Sequence, residues 1–276
     1  MTDEIKVKSA NWHLTTRCNY NCKFCFSRNL DAELKDLRQA EKILANLWAK
    51  KIEKINFVGG EPMLYPLIFD VVKAAKEMGF VVSIVSNGYY LNRKVVYSLA
   101  PFVNWIGLSI DSADECVEVA LGRGNGGHVK HILELTGIIQ QAGIKLKINT
   151  TVTRLNWMED IRPLIGKLKP DRWKVFQVLK ICGQNDLHFN SLSITDAQFN
   201  FFKSLNQEPV EGCAPVFESN HEMIASYFML SPSGSVMSNI DGANRTFIPL
   251  ENVSHDNMQQ ILDVQQYIGR HAIYPW

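Results

Sequence analysis

Between residues 11 and 180, short runs rich in β-branched and aromatic residues alternate with longer amphipathic stretches. The runs are 11–16 (NWHLTT), 54–58 (KINFV), 80–86 (FVVSIVS), 102–110 (FVNWIGLSI), 144–153 (IKLKINTTVT) and 172–180 (RWKVFQVLK). Residues 36–51 carry apolar side chains at 37, 40, 43, 44, 47 and 48, the spacing of one helix face. The stretch 67–79 reads as a helix stopped by Gly79, 92–100 as a short helix, 128–143 as a helix, and 158–169 as a helix kinked at Pro163. Six such alternations permit few folds. They predict an α/β protein of sequential parallel strands joined by right-handed crossovers. The pattern stops near residue 181, and the remainder shows a helix near 195–205. Without repeats or an obvious linker, the expectation is a single domain: a core over 1–181, and an extension over 182–276 packed on it and covering the substrate site.

With 46% apolar and 21% charged residues, the chain can bury a core without disulfides or a structural metal. The N-terminus has no apolar signal segment and no run of about 18 apolar residues exists, so a cytoplasmic protein without a membrane span is expected. A formal charge of +1 gives no reason to expect nucleic acid or a membrane surface as partner. It leaves room for a local basic cluster holding a small anion.

The polar and glycine-rich motifs follow strands, where α/β folds place their ligands. Cysteines 18, 22 and 25 follow the first strand, GGEP (59–62) the second, SNG (86–88) the third, and Ser109 and Asp111 end the fourth. They are expected to converge on one face. Structural zinc wants four ligands, usually as two separated pairs, and no second CxxC exists here. A zinc site completed by a distant residue is the alternative. Three thiolates suit a [4Fe–4S] cluster with one iron left open. Such an iron can chelate S-adenosylmethionine and, on reduction, release a 5′-deoxyadenosyl radical, chemistry carried by the cofactor.

On Cys18, Cys22, Cys25 and GGEP the chain resembles the radical SAM superfamily. The resemblance implies a partial (βα)6 TIM-like barrel with a C-terminal extension. It implies that Gly59, Gly60 and Glu61 receive the methionine amino group, that Phe24 lies near the adenine, and that Ser86, Asn87 and Ser109 bind the carboxylate and ribose. More of the chain is similar to the viperin family. NWHLTTRCNYNCKFCF, KINFVGGEP, VVSIVSNG, GRGNGGHV, KIN, RWKVFQ and ESN occur in matching order from about residue 11 to 230. That resemblance implies a lyase that converts CTP or UTP to the 3′-deoxy-3′,4′-didehydro nucleotide after abstraction of the C4′ hydrogen, with a reductase, flavodoxin or ferredoxin as electron donor and a role in antiviral or phage defence.

The residues accommodate such a substrate. Lys147 and Asn149 alternate on the fifth strand and Arg172 and Lys174 on the sixth, so each pair faces one side. Three cations on adjacent strands require an anion, because unpaired buried charge is costly. By resemblance, Arg123 in GRGNGG adds a phosphate contact, Asn11 faces the nucleotide, and Tyr227 in SYFML relays a hydrogen atom or proton near the sugar. Tyr227 reads equally well as a core aromatic. With Cys18 so near the start of the sequence, a form without the animal members' N-terminal amphipathic helix is expected, and IGRHAIYPW matches their tail only loosely, so the resemblance assigns Trp276 no role. Cys116, Cys182 and Cys213 are expected to be buried small hydrophobes. Two further readings stay open: a radical SAM enzyme with a different anionic substrate, and a non-catalytic binding scaffold.

Overall fold

The computed structural model describes residues 7–254, 257–270, 274 and 276. Six strands realise the alternation: β1 (Ser9–His13), β2 (Lys54–Val58), β3 (Val81–Ser86), β4 (Trp105–Ser109), β5 (Lys145–Val152) and β6 (Arg172–Gln177). Each pairs in parallel with the next. The helices between them are α1 (Leu37–Ala49), α2 (Ile68–Glu77), α3 (Arg93–Leu99), α4 (Glu115–Leu121), α5 (His128–Gln141) and α6 (Arg162–Leu168). Asp36 starts α1 by accepting from the Arg38 amide at 2.9 Å, satisfying one orphan donor of the first turn. Pro163 does not kink its helix. It sits in the first turn of α6, where its missing N–H is not needed.

The C-terminal third continues the sheet rather than standing beside it. Helices α7 (Asp186–Leu192), α8 (Asp196–Asn206), α9 (Asn220–Met223) and α10 (Val264–Gly269) accompany strands β7 (Pro215–Glu218), β8 (Met229–Leu230), β9 (Val236–Ser238) and β10 (Thr246–Ile248). One ten-stranded sheet results, ordered β10-β9-β8-β1-β2-β3-β4-β5-β6-β7. The extension thus adds parallel β7 to the β6 edge and parallel β8 to the β1 edge, with β9 and β10 antiparallel beyond it.

The strands have two unlike faces. Ile55, Phe57, Val82, Ile84, Ile106, Leu108, Leu146, Ile148, Trp173 and Val175 are buried in the apolar core. Their alternate neighbours, including Asn11, Lys54, Asn56, Lys147, Asn149, Arg172 and Lys174, line a cavity of about 730 Å³. A barrel interior is ordinarily filled by branched apolar side chains. One lined by amides and cations is built around a polar ligand.

Candidate active site

Residues 15–29 leave the C-terminal end of β1 as a loop pinned from two sides. The Gly60 amide donates to the Thr15 carbonyl at 2.6 Å and the Glu61 amide to that of Arg17 at 2.8 Å. A Cβ on Gly60 would lie 2.2 Å from the Arg17 carbonyl oxygen, so only glycine permits this approach. On the other side, the Asn21 amide donates to Gly122 at 3.1 Å and the Lys23 amide to Leu121 at 2.8 Å, where α4 ends. Gly122 closes that helix in the left-handed region at φ 84°, and a Cβ there would meet the Asn21 carbonyl oxygen at 2.3 Å. Held between these clamps, Cys18, Cys22 and Cys25 all line the cavity. Burial pushes the Cys22 thiol up to about 12, against the opposing pull of Arg123.

Gly59, Gly60, Ser86, Asn87, Ser109 and Phe24 line the same end of the cavity. Glu61 does not. It is fully buried behind the wall and accepts from the Ser86 hydroxyl at 2.8 Å and from the amides of Asn87 at 2.8 Å and Met63 at 3.1 Å. The Asn87 side chain donates to Asn19 at 2.9 Å and lies 3.8 Å from the Cys18 sulfur. Glu61 therefore sets the position of the residues that face the cavity. Arg123 also stands at this end, its guanidinium 5.3 Å from the Phe24 ring centre. Its Nε lies 2.6 Å from Asp111 and 3.4 Å from Glu118. Burial works against its charge, but these two carboxylates and Cys22 outweigh it and raise its pKa. The expected phosphate contact is thus an arginine whose charge is already met.

The opposite end is cationic. Register pairs Lys147 with Arg172 and Asn149 with Lys174 across β5 and β6, so the two predicted pairs share one patch. Lys54, the first residue of β2, and Arg270, just past α10, join it in the cavity lining. Lys54 lies one strand length from Gly59, about 16 Å at the usual rise per residue. Lys54 and the glycines that clamp the cysteine loop therefore lie toward opposite ends of a single cavity. Burial, reinforced by neighbouring cations, lowers Lys54 to about 6 and Lys147 to about 7. Lys174 falls less, to about 8, because burial is opposed by Glu218. Glu218, wholly buried at the end of β7, pairs with the Lys174 ammonium and accepts from the Tyr227 hydroxyl. Lys174 also donates to that hydroxyl at 3.0 Å, and the Arg270 guanidinium stacks 3.7 Å above the Tyr227 ring. Burial and the Glu218 charge hold the phenol well above its usual pKa, in its neutral form. Asn11 lines the cavity between the two ends and accepts from the Asn56 amide at 2.8 Å.

Residues 12–168 match the Radical SAM superfamily. The chain is 40% identical, over all of its length and 98% of the relative's, to an S-adenosylmethionine-dependent nucleotide dehydratase of a Thermoplasmatales archaeon (strain ISO4-H5). It is 33% identical, over 98% of its length and 96% of the relative's, to an S-adenosylmethionine-dependent nucleotide dehydratase of Flammeovirga pacifica. The chain belongs to the S-adenosylmethionine-dependent nucleotide dehydratase family. Its fold is that of solved radical SAM enzymes. Streptococcus suis SuiB bound to S-adenosylmethionine superposes with a TM-score of 0.71 at 19% identity, over 96% of this chain and 68% of SuiB. Native anSMEcpe with bound AdoMet gives 0.63 at 13% identity, over 95% and 82%.

Radical SAM dehydratases use a [4Fe–4S] cluster and S-adenosylmethionine, and the residues present fit both. Among the described residues no three Cys, His, Asp or Glu side chains converge as on a single metal ion. A four-iron cluster binds each thiolate to a different iron, so three thiols lining one cavity suit it. No helix among the described residues is long and apolar enough to cross a membrane. Cys213 is buried as expected, but Cys116 and Cys182 are exposed. The first lies on the outer face of α4 and the second in the loop after β6, where no core reaches them.

Sequence reasoning missed Lys54, Glu218, Arg270, Arg245 and Tyr274 as site residues. Glu218 falls within ESN (218–220), one of the motifs that carry the family resemblance. The described tail residue Tyr274 stacks 3.8 Å from the Arg172 guanidinium, and its hydroxyl accepts from Lys54 at 2.5 Å. The Trp276 ring lies 5.0 Å from the Lys54 ammonium.

Proposed function

We propose that this dehydratase acts on a pyrimidine ribonucleoside triphosphate, CTP or UTP, and forms the 3′-deoxy-3′,4′-didehydro nucleotide. The observation that carries the reading is the cationic end of the cavity. Lys54, Lys147, Arg172, Lys174 and Arg270 gather there against Glu218, and no acid is among the described lining residues. Five cations and one carboxylate leave a formal +4, which matches the roughly four negative charges of a triphosphate. Arg172 and Arg270 offer forked donors to phosphate oxygens, and the lysines offer point charges. Anchoring the phosphates one strand length from the thiols sets the ribose near the middle of the cavity, between Asn11 and Asn149.

Cluster and S-adenosylmethionine together supply hydrogen-atom abstraction from an unactivated carbon. Gly59, Gly60, Ser86, Asn87, Ser109 and Phe24 hold S-adenosylmethionine against the thiol end, with Glu61 positioning Ser86 and Asn87. Arg123 remains on that side beside Phe24. The protein's remaining tasks are to fix C4′ for abstraction and to exclude water. Once that hydrogen is gone, departure of the 3′-hydroxyl as water requires one proton and one electron. Tyr227 and Lys174, hydrogen-bonded to each other and to Glu218, are the groups that deliver the proton. The electron comes from a cytoplasmic donor of the reductase, flavodoxin or ferredoxin type. Residues 182–276 cover the substrate site by supplying Glu218, Tyr227, Arg270 and Tyr274. A role in defence against viruses or phage accords with a chain-terminating product.

The test is anaerobic turnover of reconstituted protein with dithionite, S-adenosylmethionine and CTP, UTP, GTP or ATP supplied singly. A product lighter than CTP or UTP by one water, formed together with 5′-deoxyadenosine, is the expected result. Slow 5′-deoxyadenosine formation that ignores all four nucleotides would refute the substrate.

A further inference from the structure

Beside the thiol end, three tyrosines are exposed to solvent, with the Arg93 guanidinium 5.6 Å from the ring centre of one of them, Tyr97. Tyr89 and Tyr90, in the β3–α3 connection, and Tyr97, on α3, are 56%, 38% and 45% exposed. Three of the exposed aromatics thus fall on one nine-residue segment, and such a cluster marks a surface available to a partner. Tyr89 packs edge-on against Tyr90 at 5.0 Å and against Tyr20 of the cysteine loop at 6.0 Å.

This patch is wired to the thiols. The Tyr89 amide donates to the Asn87 side-chain oxygen at 2.9 Å, and the nitrogen of that same side chain lies 3.8 Å from the Cys18 sulfur. Cys18 is itself exposed. Two polar contacts therefore connect a thiol of the cavity to the base of the aromatic patch.

Its surroundings are basic. Arg93 and Lys94 open α3 directly after the tyrosines, and Lys130 stands exposed in the first turn of α5. That turn packs on the same connection, because the neighbouring His131 meets the Gly88 carbonyl at 2.9 Å. Glu134 faces Lys130 at 4.0 Å, and Glu115 is turned inward onto the amides of His128 and Val129. Arg93, Lys94 and Lys130 against Glu134 give this face +2, on a chain whose whole net charge is +1.

We propose that the Tyr89–Tyr90–Tyr97 face, rimmed by Arg93, Lys94 and Lys130, is the docking surface for a small acidic flavoprotein of the flavodoxin type, which delivers single electrons to the thiol-held cluster. This rests on the reading of the chain as a reductively driven radical enzyme. The tyrosines provide flat apolar area for the exposed edge of a flavin. The cations complement the acidic rim that surrounds it and steer its approach. The transfer is one electron from the reduced flavin to the oxidised cluster, with no atom exchanged.

Two variants leave the cavity lining untouched: Tyr89→Ser with Tyr90→Ser, and Lys94→Glu with Lys130→Glu. Each is compared with the parent in three measurements on the reconstituted full chain. These are turnover driven by dithionite, turnover driven by flavodoxin with its NADPH-dependent reductase, and calorimetric binding of oxidised flavodoxin. Both variants are expected to keep dithionite-driven turnover within about twofold, while flavodoxin affinity and flavodoxin-driven turnover at limiting carrier fall roughly tenfold. Binding of the parent, but not of the charge-reversed variant, should weaken steeply with salt. The proposal is overturned if flavodoxin binding and flavodoxin-driven turnover are unchanged. It is equally overturned if dithionite-driven and flavodoxin-driven turnover fall together while calorimetric binding of flavodoxin is unchanged. Absence of any dithionite-driven turnover in the parent would strike the dehydratase reading instead, and the calorimetry would still decide the surface.

Discussion

Binding of a triphosphate should draw protons into the protein. In the empty cavity Lys54, Lys147 and Lys174 sit near 6, 7 and 8, because each is buried and crowded by other cations. At pH 8, Lys54 and Lys147 are then almost wholly neutral and Lys174 about half so. Phosphate oxygens set among them favour the ammonium form and return all three toward the ordinary lysine range. Saturation at pH 8 should therefore take up about two protons per site. The nucleotide's own phosphates are already ionised at that pH and contribute little. Affinity should fall as pH rises from 8 to 9, by about 1.4 kcal/mol for each proton taken up, or roughly a hundredfold in Kd for two. The same shifts fix the sign for folding. Unfolded lysine stays protonated to about 10.4, so between pH 6 and 9 the unfolded chain binds more protons, and the nucleotide-free protein gains stability as pH rises. Isothermal titration with CTP in buffers of different ionisation enthalpy counts the protons, and Tm against pH reads the second effect. Uptake below half a proton with a flat Kd between pH 7 and 9 would refute both the cationic cluster and its role.

Two further outcomes follow from the geometry. Gly60→Ala places a methyl against the Arg17 carbonyl and should cost roughly 3 kcal/mol, lowering Tm and the iron retained after reconstitution. Tyr227→Phe keeps the ring under Arg270 but removes the hydroxyl between Lys174 and Glu218. Its dehydrated product should fall by roughly 10²-fold, while nucleotide-stimulated 5′-deoxyadenosine changes less than twofold. Equal loss of both would mean that Tyr227 serves only the cavity's shape.

The first six strands were legible because each is a run of β-branched residues followed by a helix long enough to show its period. The pairing of Lys147 with Arg172 was legible for the same reason: two parallel strands with polar residues at alternate positions have few registers. The strands β7 to β10 were not, since two to four residues display no period and their pairing is decided by the open edges they meet. Lys54 looked like an ordinary polar start to a strand, and only the approach of β5, β6 and the tail makes it part of the cavity. Arg123 shows the reverse. Its glycine-rich loop suggested an anion site, and what the sequence does not display is that Asp111 and Glu118 arrive from two sides to neutralise it. Glu61 was found through its motif, yet its carboxylate faces the β3 turn, a choice settled by the Ser86 hydroxyl and the Asn87 amide.

The sheet's edges also govern how the chain must be made. β1 leaves the ribosome long before its outer partner β8, with which it pairs through Asn11 and Met229. At about 5–20 residues per second, the 217 residues between Asn11 and Met229 take roughly 10–40 s to synthesise. Through that interval the nascent protein carries a bare strand on one side of its sheet, the kind of template that recruits other chains. β6 is bare too until β7 emerges. The last third of the sequence thus acts as a pair of seals, and truncation near residue 181 would leave an aggregation-prone intermediate rather than a smaller enzyme.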